Sequence, residues 1–248
     1  MTAADGNDHA PVPGPDERAV RRAVLRQAAG VSIATGLSGI SFGALAVVSG
    51  LDVPQTVALS VLMFTGGSQF AFIGVLGAAG SPVAAVATAG LLGARNALYG
   101  AVVAPLLQVT GPRRWAAAQL TIDESTAVAV AQRNPALARV GFWATGLGVF
   151  GLWNTTTVIG ALAGSRMGDP TRWGLDAAAA AAFLGLLWPR LASRHAQGVA
   201  LVAVVVALAL TPFVPAGVPV LAAAVVAVVA GWRAPPTRTT PGEAEATP

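Results

Sequence analysis

The chain has 248 residues, 54% hydrophobic and only 10% charged; soluble domains carry about 25% charged residues, so a soluble surface is excluded. Its net charge of +4 rests on 15 arginines and no lysine, spread between apolar runs, which excludes the continuous basic face that nucleic-acid binding needs. There is no cysteine, so disulfides and thiolate metal sites are excluded, and His9 and His195, in a tail and a loop, form no metal cluster.

In chain order, residues 1–26 read as a disordered basic cytoplasmic tail, rich at first in Pro, Gly, Asp and Ala. Arg18, Arg21, Arg22 and Arg26 follow just before the first apolar run and hold the N-terminus in the cytoplasm. Apolar spans are expected at 27–50, 55–79, 83–108, 140–164, 175–190, 197–213 and 217–232, inside one transmembrane domain of residues 27–232. Pro54, Gly80-Ser81-Pro82, Gly111-Pro112, Asn134-Pro135 and Asp169-Pro170 punctuate them. Residues 233–248 read as a second disordered tail.

Segment 115–132 has helical composition but carries Asp123 and Glu124 side by side. It reads as a costly span, a re-entrant segment or an amphipathic helix. If 55–79 is re-entrant, broken at Gly66-Gly67, and 115–132 does not cross either, then Arg113, Arg114, Arg133 and Arg139 all fall on the cytoplasmic side. Arg190, Arg194, Arg233 and Arg238 then follow there, leaving Arg166 and Arg172 outside. If instead every segment crosses, the charge asymmetry is weaker. The preferred architecture is an all-α integral membrane protein of about six full transmembrane helices plus one or two broken or re-entrant segments.

Polar groups at depth mark the candidate site. Arg95 and Asn96 lie inside the apolar run 82–107, where an arginine costs on the order of 3 kcal/mol. A guanidinium there holds a solute carboxylate or ties two helices together through an acid. Tyr99 shares the helix face of Arg95 and reads as packing or an interfacial residue. In the run Thr65 to Phe70, Gly66 and Gly67 permit a helix break or a close approach, and Ser68 and Gln69 place a hydroxyl and an amide at depth. These groups contact substrate or serve tight helix packing. Asp123 and Glu124 read as an ammonium-binding or proton-coupling pair, since burial favours the protonated carboxylate, or as solvated acids of a surface helix. Asp176 reads as a helix N-cap or first-turn residue, the alternative being a transport role. Trp153, Asn154 and the threonines Thr155 to Thr157 face some interior surface and receive no role.

Four motifs in order, GGSQF at 66–70, ARNALYG at 94–100, IDES at 122–125 and GLDAAAAAAF at 174–183, resemble the AzlC family of branched-chain amino-acid permeases. The resemblance covers about residues 28–232. It implies a bacterial inner-membrane, multi-pass exporter of branched-chain or similar neutral amino acids with a small AzlD-type membrane partner. The family pattern often carries a histidine near R-x-x-L-Y-G; Asn96 and Ala97 stand there in this chain, so a histidine proton relay is absent. The alanines after Asp176 replace bulkier residues, which bears on pocket size.

The expected mechanism is secondary transport, not enzymatic, with no cofactor and no metal. Arg95, or a half-helix N-terminus near Gly67, takes the carboxylate. Asp123 or Glu124 takes the ammonium or a proton, Gln69 and Asn96 orient the zwitterion, Ser68 is a further substrate contact, and Phe70 and Phe72 wall its side chain. No G-x-x-x-x-G-K-[ST] phosphate loop is present, so the energy comes from an ion or substrate gradient. The alternative is a membrane-embedded structural or assembly subunit with a buried Arg–carboxylate scaffold.

Overall fold

The computed structural model describes residues 15–166, 184, 187–214 and 218–233. Among the described residues the chain is helical and has no strand: α1 Pro15–Leu37, α2 Gly39–Val48, α3 Val53–Leu62, α4 Gly66–Gly77, α5 Pro82–Leu107, α6 Arg113–Gln119, α7 Asp123–Val130, α8 Pro135–Arg166, α9 Arg194–Leu210 and α10 Val218–Arg233. A short 3-10 turn covers Trp188–Leu191. Three helical stretches are long and apolar enough to cross a membrane: Glu17–Val48, Pro82–Leu107 and Pro135–Arg166.

Several expectations shift. Residues 15–26, read as disordered tail, are helical, because α1 begins at Pro15. Proline suits a first helical position, and Glu17 behind it complements the positive end of the helix dipole. The break expected at Gly66-Gly67 lies just before them, at residues 63–65, and both glycines sit in the first turn of α4. His195 belongs to the first turn of α9, not to a loop. Asp176, the motif at 174–183, Arg172, Arg238 and most of the span expected at 175–190 lie outside the described residues.

The scaffold is a tight, parallel pairing of α1–α2 with α8. Ser32 donates to the Thr145 carbonyl at 3.4 Å and Thr156 to the Gly36 carbonyl at 2.5 Å. Further along, a Cβ at Gly43 would strike the Thr157 carbonyl and one at Gly160 the Ile40 carbonyl. Small residues let backbones approach this closely, which is how helices associate in lipid, where hydrophobic exclusion gives no drive. Helix α5 runs the opposite way. Its end, loosened by Pro105, is held beside the start of α8: Arg139 donates from Nε to the Leu106 carbonyl at 3.0 Å and from Nη2 to Gln108 Oε1 at 2.9 Å.

The two broken segments fit between these long helices from opposite ends. The chain leaves α2 at Ser49, dips inward through α3, and returns along α4 until Gly77 packs against Ser49. Helix α6 starts at the other end, reaches Leu120 beside Gly146, and α7 climbs back past Gly141 until Gln132 lies 3.5 Å from Gln27. The inner tips meet, with Gln119 Nε2 donating to the Val61 carbonyl at 2.7 Å.

A chain broken inside an apolar bundle leaves backbone carbonyls without partners unless side chains reach them. Both breaks are served in this way. Gln69, fully buried, donates from Nε2 to Ser60 O at 3.2 Å and Met63 O at 2.8 Å. At the second break Ser125 donates to Leu120 O at 2.6 Å and accepts from the Ile122 amide at 3.1 Å. Replacing Gln69→Leu, close in size, strands the buried Ser60 carbonyl and leaves the Met63 carbonyl only the Thr65 amide. It is expected to destabilise the fold by about 1–3 kcal/mol, read as a lower unfolding midpoint in detergent.

Candidate functional site

The breaks matter because their loose ends face one cavity of about 780 Å³. That volume lies in the range of small-molecule sites. Its walls are built from elements already placed. Helices α1 and α2 contribute Thr35, Ser38 and Ser41; the first break contributes Phe64 to Gly67 and Phe70; the second contributes Ile122, Asp123 and Glu124. Arg95 and Leu92 come from α5, and Val149 and Trp153 from α8.

The charged groups converge there from separate elements. Arg95 Nη1 lies 3.4 Å from Asp123 Oδ2, and both side chains keep between a quarter and a third of their surface exposed, 29% and 27%. The pair is therefore partly open to the cavity rather than sealed. Adjacent residues on a helix diverge by about 100°, so Glu124 points elsewhere. Thr35 on α1 donates from Oγ1 to Glu124 Oε1 at 3.4 Å. Both carboxylates sit in the first turn of α7, where the helix dipole favours negative charge.

Gly67 explains how close Arg95 comes to α4. A Cβ built there would lie 2.8 Å from Arg95 Nη2, so only glycine leaves the guanidinium its place over the start of α4. The N-cap of α4, Thr65, makes no side-chain capping bond. The opening amides of α4 and the guanidinium thus form one positive corner, with Asp123 directly beside it and Glu124 on the same cavity lining. The apolar side is aromatic. Phe42, Phe70 and Trp153 form a mutually packed trio, with ring centroids 5.6 Å apart for Phe42–Phe70, 5.9 Å for Phe42–Trp153 and 6.2 Å for Phe70–Trp153. Phe64 adds its own edge contact to Phe150 at 4.9 Å.

Of the residues singled out in the sequence, Gly67, Phe70, Arg95, Asp123 and Glu124 line this cavity, and Ser68, Gln69, Asn96 and Phe72 do not. Ser68 is buried against Gly93 of α5. Gln69 clasps the end of α3. Asn96 is turned a quarter of a circle from Arg95 and is only half-buried, off the cavity wall. The same 100° step that separates Glu124 from Asp123 removes Asn96 from Arg95. Sequence reasoning missed Thr35, Ser38 and Trp153 as cavity residues. The hydroxyls had no signal of their own, being two among many serines and threonines in apolar runs. Trp153 had one, a polar-tipped ring in mid-span, that was left without a role.

Among the described residues no group of three or more His, Cys, Asp or Glu could hold a metal ion. What the arrangement can do is bind a dipolar solute: a cationic corner, an anionic corner and an aromatic wall meet in one space. A family model described as "AzlC protein" matches residues 30–167, the stretch holding both breaks, α5 and α8. No curated protein and no solved structure matches the chain.

Proposed function

The chain belongs to the AzlC family, a transport-related family of membrane proteins, and from that premise we propose that it is a secondary transporter exporting branched-chain or similar neutral amino acids. The observation that carries the reading is the half-open Arg95–Asp123 pair at the meeting point of two broken helices. Before a solute enters, each charge offsets the other. When a zwitterion enters, its carboxylate takes Arg95 and the opening amides of α4, and its ammonium takes Asp123. Partners are exchanged and no charge is left alone at depth, which avoids the large cost of an isolated buried ion. Glu124, held by Thr35, is the second acid able to receive the ammonium or a proton. The aliphatic side chain lies against Phe64, Phe70 and Trp153.

Both broken segments act as re-entrant elements, and six full spans complete the protein. Arg18, Arg21, Arg22, Arg26, Arg113, Arg114, Arg133 and Arg139 then share one end of the bundle, the cytoplasmic side of a bacterial inner membrane. The contacts between Ser49 and Gly77, and between Arg139 and the end of α5, support that reading. The chain has no cysteine, so Arg113→Cys gives a single label site. It is expected to stay unlabelled by an impermeant maleimide in intact cells with a permeabilised outer membrane; ready labelling would reject the re-entrant topology.

The protein works with a small AzlD-type membrane subunit. Cells expressing both, fed a valine- or leucine-containing dipeptide, are expected to release the free amino acid faster than cells lacking them. Unchanged efflux from well-expressed protein would count against these substrates. The ion pair also favours a second reading, a structural subunit in which Arg95 and Asp123 only join α5 to α7. Under that reading efflux does not depend on this chain's charges beyond their effect on folding.

A further inference from the structure

Helices α9 and α10 pair as a hairpin, with the start of α9 beside the end of α10. Neither helix buries a residue among those described, so the surfaces of both remain uncovered. One end of this hairpin differs from the rest. Trp188, 71% exposed, and Trp232, 87% exposed, both lie there. Exposed tryptophans of this kind anchor helices at the headgroup level. Arg190, Arg194, His195 and Arg233 belong to the same end, and the described residues of the hairpin include no Asp or Glu.

Beneath Arg194 and His195 the two helices part into a groove of about 410 Å³, walled by Gly198 and Val202 on one side and Val226 and Ala230 on the other. A Cβ at Gly198 would meet nothing within 4 Å, so the missing side chain keeps the groove open. A cationic rim over an apolar slot, at the level marked by tryptophans, matches a molecule with an anionic head and a hydrocarbon tail. We propose that this groove binds one anionic phospholipid of the surrounding membrane, its phosphate on Arg194 and His195 and an acyl chain between α9 and α10. Basic pockets between membrane helices hold anionic headgroups in this way, and the guanidinium fork fits phosphate oxygens. Free phosphate would gain nothing from Val202, Val226 and Ala230. A zwitterionic amino acid would find no acid for its ammonium.

The test is native mass spectrometry of the full chain in detergent, mixed in turn with phosphatidylglycerol, phosphatidylcholine and inorganic phosphate. One phosphatidylglycerol should be retained, about tenfold or more over phosphatidylcholine, with no adduct from phosphate. Arg194→Ala with His195→Ala should abolish that preference. Gly198→Leu, which keeps Arg194 and His195 and fills the slot, should lower retention by a similar factor. Arg166→Ala, at the exposed end of α8, should change nothing, and all variants elute as the parent does on size exclusion. Equal retention of the two lipids, displacement by free phosphate, or a Gly198→Leu variant that binds as the parent would each overturn the proposal.

Discussion

Arg95→Ala is expected to reduce amino-acid efflux by about 100-fold or more, because once a solute closes the pair off from water, truncating one partner of a buried charge pair costs about 2–5 kcal/mol. Two losses add at this position. The substrate carboxylate forfeits its planar, two-pronged partner, and the acid 3.4 Å away loses its compensating charge. Arg95→Lys retains the charge but presents a single ammonium, so it should recover protein level better than efflux. That split separates transport from scaffolding. A lysine able to pair with Asp123 satisfies a scaffold, whereas a site shaped for a carboxylate needs the fork. The measurement is efflux of leucine per unit of membrane-inserted protein, with size exclusion as the control for folding.

Asp123→Asn is expected to lower efflux by about 30-fold, within the 1.5–3 kcal/mol of a hydrogen bond to a charged group. The substitution preserves shape and leaves Arg95 an acceptor, so the fold should survive. What disappears is the negative charge that receives the ammonium. Glu124→Gln should cost less, since Thr35 already holds that carboxylate from α1. Exchanging the charges, Arg95→Asp with Asp123→Arg, restores neutrality with reversed polarity. It should rescue insertion and leave efflux at the level of the single variants, because the α4 amides still favour an anion at the corner where an acid now stands. Full recovery of efflux by the exchanged pair would favour the scaffold reading.

The broad outline of the protein was legible because the physics of the membrane is blunt. Low charge and long apolar runs mark helices in lipid, and Arg95 inside residues 82–107 marks a polar site. Asp123 and Glu124 were found by the same reasoning: adjacent acids between Ile122 and Val128 require an explanation. Their placement on the first turn of a half-helix explains why both are tolerated. The helix boundaries were less legible. The motif GGSQF has two adjacent glycines, and the break was expected there; the chain instead turns at 63–65, where Gln69 can reach back to the last carbonyls of α3. An amide near a glycine pair reads equally as a ligand group or a backbone clasp, and only the path of α3 decides which. Asn96 failed for a geometric reason: it neighbours Arg95 in sequence, and a helix turns neighbours apart. The opposite case is Thr35. Nothing in GVSIATGLSG distinguishes it from Ser32, yet one faces the acid and the other the Thr145 carbonyl. Which hydroxyl meets the cavity depends on how α1 packs on α8, a tertiary fact that residue type does not carry.

The most direct test of a site built for a zwitterion is thermal stabilisation of the purified chain, with its co-expressed small partner, by leucine and by two analogues. Leucinamide lacks the carboxylate and 4-methylpentanoate lacks the ammonium. Leucine alone should raise the unfolding midpoint, and Arg95→Ala should remove the rise. A midpoint that no neutral amino acid moves, or that leucinamide moves as far as leucine, would contradict the account.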